Sequence, residues 1–305
     1  MKSAGFAAKQ FQPLNLFGHS VLLVGGLFLV YPIVFMVLAG LMTKQEYAST
    51  VLGLFPIAQN PTFDNFLVLI GFSSDKTVQM YFLNSVLRTS FSVVWAVLTA
   101  FLGGYVFSGL RFKGRDTLFL ILLATQMVPP IVAIIPTFIE YARWPFAGGN
   151  SIFTGGKGIL DTWWVYLIGG PAINILGTFL VKQSLEKVPY ELDEAAKIDG
   201  SGTFRLIFQI LMPLQLPILA FIAITTSQVV WNDWQTPFFF TTNDDLQTLP
   251  SAISRLSSLA ANPTGIINYP MMITLGLGVT LPMILIFFFF QRFIVQGLAN
   301  TGLKG

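Results

Sequence analysis

Six stretches of this chain run for 20 residues or more without an Asp, Glu, Lys or Arg: 10–43, 89–110, 117–139, 162–181, 206–232 and 256–291. A helix rises about 1.5 Å per residue, so roughly 20 apolar residues cover the hydrocarbon core of a bilayer. Inside that core only closed structures satisfy the backbone, and a helix does so within one segment. The expected fold is therefore all-α: a polytopic membrane helix bundle with six transmembrane helices. Trimming at turn and proline signals places the spans near 17–42, 83–107, 117–139, 162–182, 213–233 and 271–291. The uncharged run 47–63 is shorter, is broken by Gly53, Pro56 and Pro61, and reads as a loop. The apolar part of the first run, Val21 to Met42, outlasts a signal-peptide core, and no Ala-x-Ala site follows it. It reads as a retained helix.

Composition agrees. Of 305 residues 54% are hydrophobic and only 10% charged, with a mean hydropathy of +0.70. Soluble domains carry roughly 25% charged residues because their surface faces water. The net charge of +3 forms no basic run or stripe, so nucleic acid is not an expected partner. Membrane lipid is. The chain has no cysteine, which excludes disulfides, thiolate catalysis and Cys-based metal sites. The lone histidine, His19, stands at the start of the first apolar stretch without companions for a metal site, and reads as an interfacial structural residue.

Lys and Arg accumulate on cytoplasmic loops. With the N-terminus inside, that side holds Lys2, Lys9, Arg111, Lys113, Arg115, Lys182, Lys187, Lys197, Arg205, Arg292 and Lys304. The opposite side holds only Lys44, Lys76, Arg143, Lys157 and Arg255. Arg88 falls near the outer end of the second span. The expected topology is N-in and C-in, with a cytoplasmic tail at 1–16, a membrane domain at 17–292 and a second tail at 293–305. Outer loops then fall at 43–82, 140–161 and 234–270, inner ones at 108–116 and 182–212.

The last inner loop is patterned. In VPYELDEAAKIDGSGTFRLIFQILMPLQLP (188–217), Pro189 suits the first turn of a helix. Glu191, Asp193 and Glu194 place negative charge at the positive end of its dipole. Leu192, Ala195, Ala196 and Ile198 offer a small, mostly apolar surface, and Asp199-Gly200 is a helix stop followed by a turn. A second amphipathic segment, Phe204 to Leu211, leads to Pro213 and the membrane. Taken alone, this is a short helix at the headgroup level, resting on lipid or meeting another protein.

The spacing Glu194-Ala195-Ala196, Gly200, Ile210, Pro213 resembles the EAA loop of ABC importer permeases, E-A-A-x3-G-x9-I-x-L-P, with Met212 in place of the usual Leu. NPTFDNFLVLI (60–70), YFLNSVLRTS (81–90), GGYVFSGLRFKGRD (103–116), QMVPPIVAIIPTF (126–138), VVWNDWQTPFFF (229–240), QTLP (247–250) and QRFIVQGLANTGLKG (291–305) resemble the maltose-type carbohydrate permeases. The resemblance runs from about residue 15 to the C-terminus.

That resemblance implies an importer permease that moves a sugar into the cytoplasm. The EAA loop, 188–213, would hold a cytoplasmic coupling helix between the fourth and fifth spans. It would dock on a separate ATPase, with Glu194 in polar contact, Ala195 and Ala196 packed closely, Ile198 and Asp199 alongside, and Gly200 giving the turn. The implied partners are a second permease subunit, two ATPase subunits that bind ATP and Mg, and an extracytoplasmic solute-binding protein touching loops 43–82 and 234–270. The tail 293–305 would be a further ATPase contact. The chain itself is expected to hydrolyse nothing: SIFTGGKG (151–158) has Ser151 and Gly158 where a phosphate loop needs Gly and Ser or Thr.

A sugar pathway needs neutral hydrogen-bonding groups. Gln126, Asn174, Gln228 and Asn232 are the candidates, with Trp231 either a stacking platform or an interfacial anchor. Polar groups in spans face the interior, where bonding between helices is the alternative to substrate contact. Ala96, Ala100, Gly104 and Ser108 form a small-residue stripe for close helix packing, and Pro129-Pro130, Pro136 and Pro282 should bend or locally unwind their spans. A secondary transporter is the rival reading, but it usually carries ionisable residues mid-span, and here Arg88 and Asp233 sit near span ends. A membrane enzyme lacks any His cluster or nucleophile elbow.

Overall fold

A computed structural model describes residues 16–49, 53–70, 77–151, 154–168, 173–198, 200–259 and 268–302. Every regular element among them is helical. In order these are α1 (Leu16–Gly40), α2 (Lys44–Ser49), α3 (Asp64–Ile70), α4 (Thr77–Gly109), α5 (Arg115–Thr125), a 3-10 turn (Pro130–Ala133), α6 (Ile134–Ala142), α7 (Trp164–Ile168), α8 (Ile175–Leu185) and α9 (Tyr190–Ile198). There follow α10 (Thr203–Arg205), a π-helical segment (Leu206–Leu211), α11 (Met212–Leu214), α12 (Leu216–Trp231), α13 (Gln235–Phe240), a 3-10 turn (Asp244–Leu246), α14 (Leu249–Leu259) and α15 (Tyr269–Gly302).

Three of the described helical stretches are individually long and apolar enough to cross a membrane: 18–40, 77–109 and 269–291. At 1.5 Å per residue, α4 and α15 reach about 50 Å, well beyond roughly 30 Å of hydrocarbon. The second span thus begins earlier than residue 83, and the helix of the sixth continues past 291 to Gly302.

The segments expected to be the third and fifth spans are bent, each for a proline reason. Between α5 and the 130–142 segment the axis turns by 87°. Pro129 and Pro130 remove two consecutive donors, and a residue before proline avoids the α region, so Pro129 itself is extended at φ −61°, ψ 132°. Between 203–214 and α12 the turn is 76°. Pro217 cannot donate to the carbonyl of residue 213, and the chain pivots at Gln215.

The fourth expected span, 162–182, is not one helix. The structure has α7, five residues, and α8, eleven, and residues 169–172 between them lie outside the described set. Eleven residues do not cross a bilayer alone. Among the described residues, Ile173 and Asn174 just before α8 are not helical.

The bundle is centred on α4, which packs on α8 and α12, while α15 lies against α12 and α1. The small-residue stripe makes the closest contact. A Cβ added at Gly103 would stand 2.8 Å from Thr178 Oγ1, and one at Gly104 would overlap the Val181 side chain. Across the seam, a Cβ at Gly177 would stand 2.8 Å from that of Ala100. Gly104→Val should therefore lower stability by about 2 kcal/mol or more. Thermal unfolding in detergent micelles checks this.

Three apolar clusters organise the rest. Around α9 Ala100, Phe101, Val181, Leu185, Ala196, Leu206, Leu211, Ile218, Leu219 and Ile222 form one core. Tyr141, Ile159, Val165, Tyr166, Phe240 and Leu246 join loop 143–161 to the segment after α12. Val78, Leu249 and Leu275 tie α14 to α4 and α15. Loop 234–270 thus contains structure of its own. Asp161 clasps it, accepting from the Thr242 hydroxyl at 2.6 Å and from the backbone N–H groups of Thr242 and Asn243. Burial alone would raise the Asp161 carboxyl, but these bonds outweigh it and hold the group below its usual value.

Candidate coupling helix and central cavity

The segment after α8 builds a short helix that stands on the first of these apolar clusters. Ala196 is 6% exposed and packs with Leu185, Leu206 and Leu211, so it anchors α9 to its own chain. Of the two alanines expected to meet a partner, the chain by itself covers Ala196. Glu194 and Ala195 are exposed, as are Leu192 and, at 85%, Ile198. Phe204 in α10 is 76% exposed, and its ring lies 4.5 Å from that of Phe208, which in turn packs on Phe101. Glu194, Ala195 and Ile198 therefore share an accessible face, while Asp199 lies outside the described residues.

Gly200 ends α9 as the spacing implied. Its φ is +75°, and the Ser201 N–H donates to the Ala196 carbonyl at 2.9 Å, a Schellman closure. The π-helical turn that follows buries Leu206 and Leu211. From the anchor at Ala196 the chain runs through the Gly200 turn and the π-helical segment to the bend at Gln215 and α12.

A cavity of about 350 Å³ lies between α4, α7, α8 and α12 and is reached by Gln126. Asn174 and Gln126 line it, with Thr225, Thr226 and Ser92. Asn174 Oδ1 accepts from the Gly177 N–H at 2.7 Å and caps α8, and its backbone N–H donates to Thr99 Oγ1 at 3.3 Å. The Thr225 hydroxyl bonds back to the Phe221 carbonyl at 2.9 Å.

The other three pathway candidates stand elsewhere. Gln228 and Asn232 are exposed and outside the cavity lining, and Asn232 Nδ2 donates to the Gln228 carbonyl at 2.7 Å. Trp231 is buried, edge-on to Phe82, and its indole N–H donates to the Val279 carbonyl at 2.9 Å. Pro282 lies one turn along α15, where its missing donor loosens the ladder and leaves carbonyls to be claimed. Trp231 is thus outside the lining of this cavity. It fastens α12 to α15.

Phe91 and Trp95 also line the cavity, and the candidates chosen from sequence omitted them. Aromatics in an apolar run look alike whether they face lipid or a cavity. Only their i, i+4 spacing hinted at a shared face.

Arg88 was expected near the end of its span, yet it lies about a third of the way along α4 and is 7% exposed. It pairs with the Asp233 carboxylate, donates to the Asp233 carbonyl at 3.1 Å, and stands over the Tyr166 ring at 4.9 Å. Asp233 also accepts from the N–H groups of Gln235 and Thr236, at 3.0 and 3.1 Å, capping α13. One ion pair thus gathers α4, α7, α12 and α13. No group of three or more His, Cys, Asp or Glu residues able to hold a metal occurs among the described residues.

Residues 92–300 match the family described as binding-protein-dependent transport system inner membrane component. GanQ, the galactooligosaccharides transport system permease protein of Bacillus subtilis, is 27% identical over 293 residues, 95% of each chain. AraQ, the arabinooligosaccharides transport system permease protein of the same organism, is 28% identical over 90% of this chain and 91% of its own. The Escherichia coli inner membrane ABC transporter permease protein YcjP is 30% identical over 226 residues, 74% of each. A chain from the crystal structure of a bacterial ABC transporter involved in the import of the acidic polysaccharide alginate shares the fold. Its TM-score is 0.69 at 18% identity, covering 99% of this chain and all of that one. Matched over more than half its length, this chain belongs to the binding-protein-dependent transport system inner membrane components, as a non-catalytic ABC permease subunit of the inner membrane.

Proposed function

We propose that this chain is the permease of an ATP-driven saccharide importer and that α9 is where a separate ATPase grips it. The observation that carries the reading is the accessible face Glu194, Ala195 and Ile198, with Phe204 beside it, on a helix anchored by buried Ala196. Such an apolar patch with one acidic group suits a protein groove better than bulk water. Movement of the patch passes through the Gly200 turn and the Gln215 bend to α12, which lines the cavity. ATP and Mg belong to the ATPase, of which two copies serve a pair of permease chains.

The sugar assignment rests on relatives named for galactooligosaccharide and arabinooligosaccharide transport, and on a cavity with neutral polar groups. Six crossings with both termini in the cytoplasm follow if each bent pair is one span and the 162–185 region completes the fourth. The basic loop 111–115 and Lys182, Lys187 and Arg205 then face the cytoplasm. A solute-binding protein would meet the opposite side, at the structured loop around α13 and α14 and at the loop 43–70. The second permease subunit, a different chain in this reading, completes the pathway.

Glu194→Arg and Gly200→Asp should each leave the protein inserted and folded while ATP-driven uptake into proteoliposomes falls at least tenfold. Charge reversal breaks the polar contact, and a side chain at φ +75° strains the turn. Undiminished uptake in both variants would overturn the coupling role of α9.

A further inference from the structure

The cavity carries a statement about substrate charge, resting on the saccharide reading above. Among the described residues no Asp, Glu, Lys, Arg or His lines it. Arg88 stands over the ring of Tyr166, a lining residue, and is committed to Asp233. An anionic sugar entering here would lose hydration and meet no counter-charge, which is prohibitive for a buried carboxylate.

What the cavity does present is flat and neutral. The Phe91 and Trp95 rings, one helical turn apart, are stacked with an interplanar angle of 9° and centroids 6.3 Å apart. Phe91 is 38% and Trp95 45% exposed, and the two near-parallel rings together form an apolar ledge. Opposite polar groups are at hand: Asn174 spends its Oδ1 on the α8 cap, and none of Ser92, Gln126 or Thr226 has a side-chain hydrogen bond among the described residues. A pyranose ring has this same division, an apolar C–H face and equatorial hydroxyls at its edge. The volume is at the lower end of the small-molecule range, enough for a short stretch of glycan rather than a whole chain.

We propose that the Phe91–Trp95 ledge is a stacking subsite for neutral sugar rings and that the permease itself rejects uronic saccharides. Fold relatives include an importer of an acidic polysaccharide, so the discrimination is a property of this lining and not of the architecture. A lipid chain or a helix of the second permease subunit are the competing occupants.

The test uses the full transporter, both permease chains with their ATPase, in nanodiscs. Saturation-transfer NMR is recorded with neutral pentasaccharides (malto-, cello-, xylo- and galacto-) and with a pentameric oligogalacturonate. At least one neutral probe should bind at millimolar concentration, lose affinity at least fivefold in Trp95→Ala, and keep it in Trp95→Phe. The galacturonate should give no transfer. Binding of the galacturonate as strong as that of the neutral probes, neutral binding indifferent to Trp95→Ala, or no binding by any probe would each overturn the proposal. So would loss of Trp95 fluorescence to brominated lipid, which puts acyl chain on the ledge, or a Trp95 signal shielded until the second permease chain is removed. Uptake assays separate this failure from that of the saccharide reading: ATP-driven uptake of galacturonate would sink only the neutral class. An importer that moves no saccharide would sink both.

Discussion

Replacing Arg88 with Met should cost this protein about 3–5 kcal/mol, the loss expected when one member of a buried ion pair is removed. The cost arises on the other side of the pair. Asp233 stays charged between α12 and α13, and its carboxylate keeps only the donors of its own capping turn, Gln235 and Thr236. The cation over the Tyr166 ring goes with it, worth about 1 kcal/mol more. The expected readout is a large fall in apparent Tm in detergent or nanodiscs. The double variant Arg88→Met, Asp233→Asn should recover at least half of the loss, because Asn still accepts the two capping N–H groups and leaves no orphan charge. If the single variant unfolds within about 0.5 kcal/mol of the parent, the pair is not an organising contact of α4, α7, α12 and α13.

The two alanines of the EAA motif should separate cleanly. Ala196→Glu places a carboxylate in the apolar cluster beside Leu185, Leu206 and Leu211. At least about 3 kcal/mol of stability should go, with poor insertion or rapid degradation in the cell. Ala195→Glu lies on the exposed face and should change stability by less than about 0.5 kcal/mol. Its effect belongs to coupling: uptake should fall at least tenfold in a chain that melts normally. Equal melting of the two variants would mean that α9 is rotated differently on the bundle. Thermal unfolding and proteoliposome uptake, run side by side, distinguish the two losses.

Much of this protein was legible in its sequence. Uncharged runs of 20 residues or more force helices, because hydrocarbon offers the backbone no other donor or acceptor. The turn at Gly200 was legible too, since a positive φ after an amphipathic segment is a local requirement that glycine meets at least cost. The small stripe Ala96, Ala100, Gly104 announced a close helix contact, and α8 supplies it through Gly177 and Val181. Pro129-Pro130 announced a break, and the chain turns by 87° there.

Other features depend on what stands opposite, and no local pattern encodes that. Neighbouring residues on a helix point about 100° apart, so motif spacing cannot say whether Ala195 or Ala196 faces inward. Leu185 and Leu206, from either side of α9, decide it. Arg88 and Asp233 are 145 positions apart, and each looked like a charge near a span end until packing joined them. Trp231 turned inward because α15 offers it a carbonyl near Pro282. Phe91 and Trp95 read as two aromatics in a run full of them, and only the gap between α4, α8 and α12 makes them a ledge. Sequence determined the solvent, the helices and the glycine turn after α9 through local hydropathy and backbone chemistry. Tertiary structure alone decided which faces are anchored, which charges cancel and which rings meet the cavity, because those are relations between segments far apart in the chain.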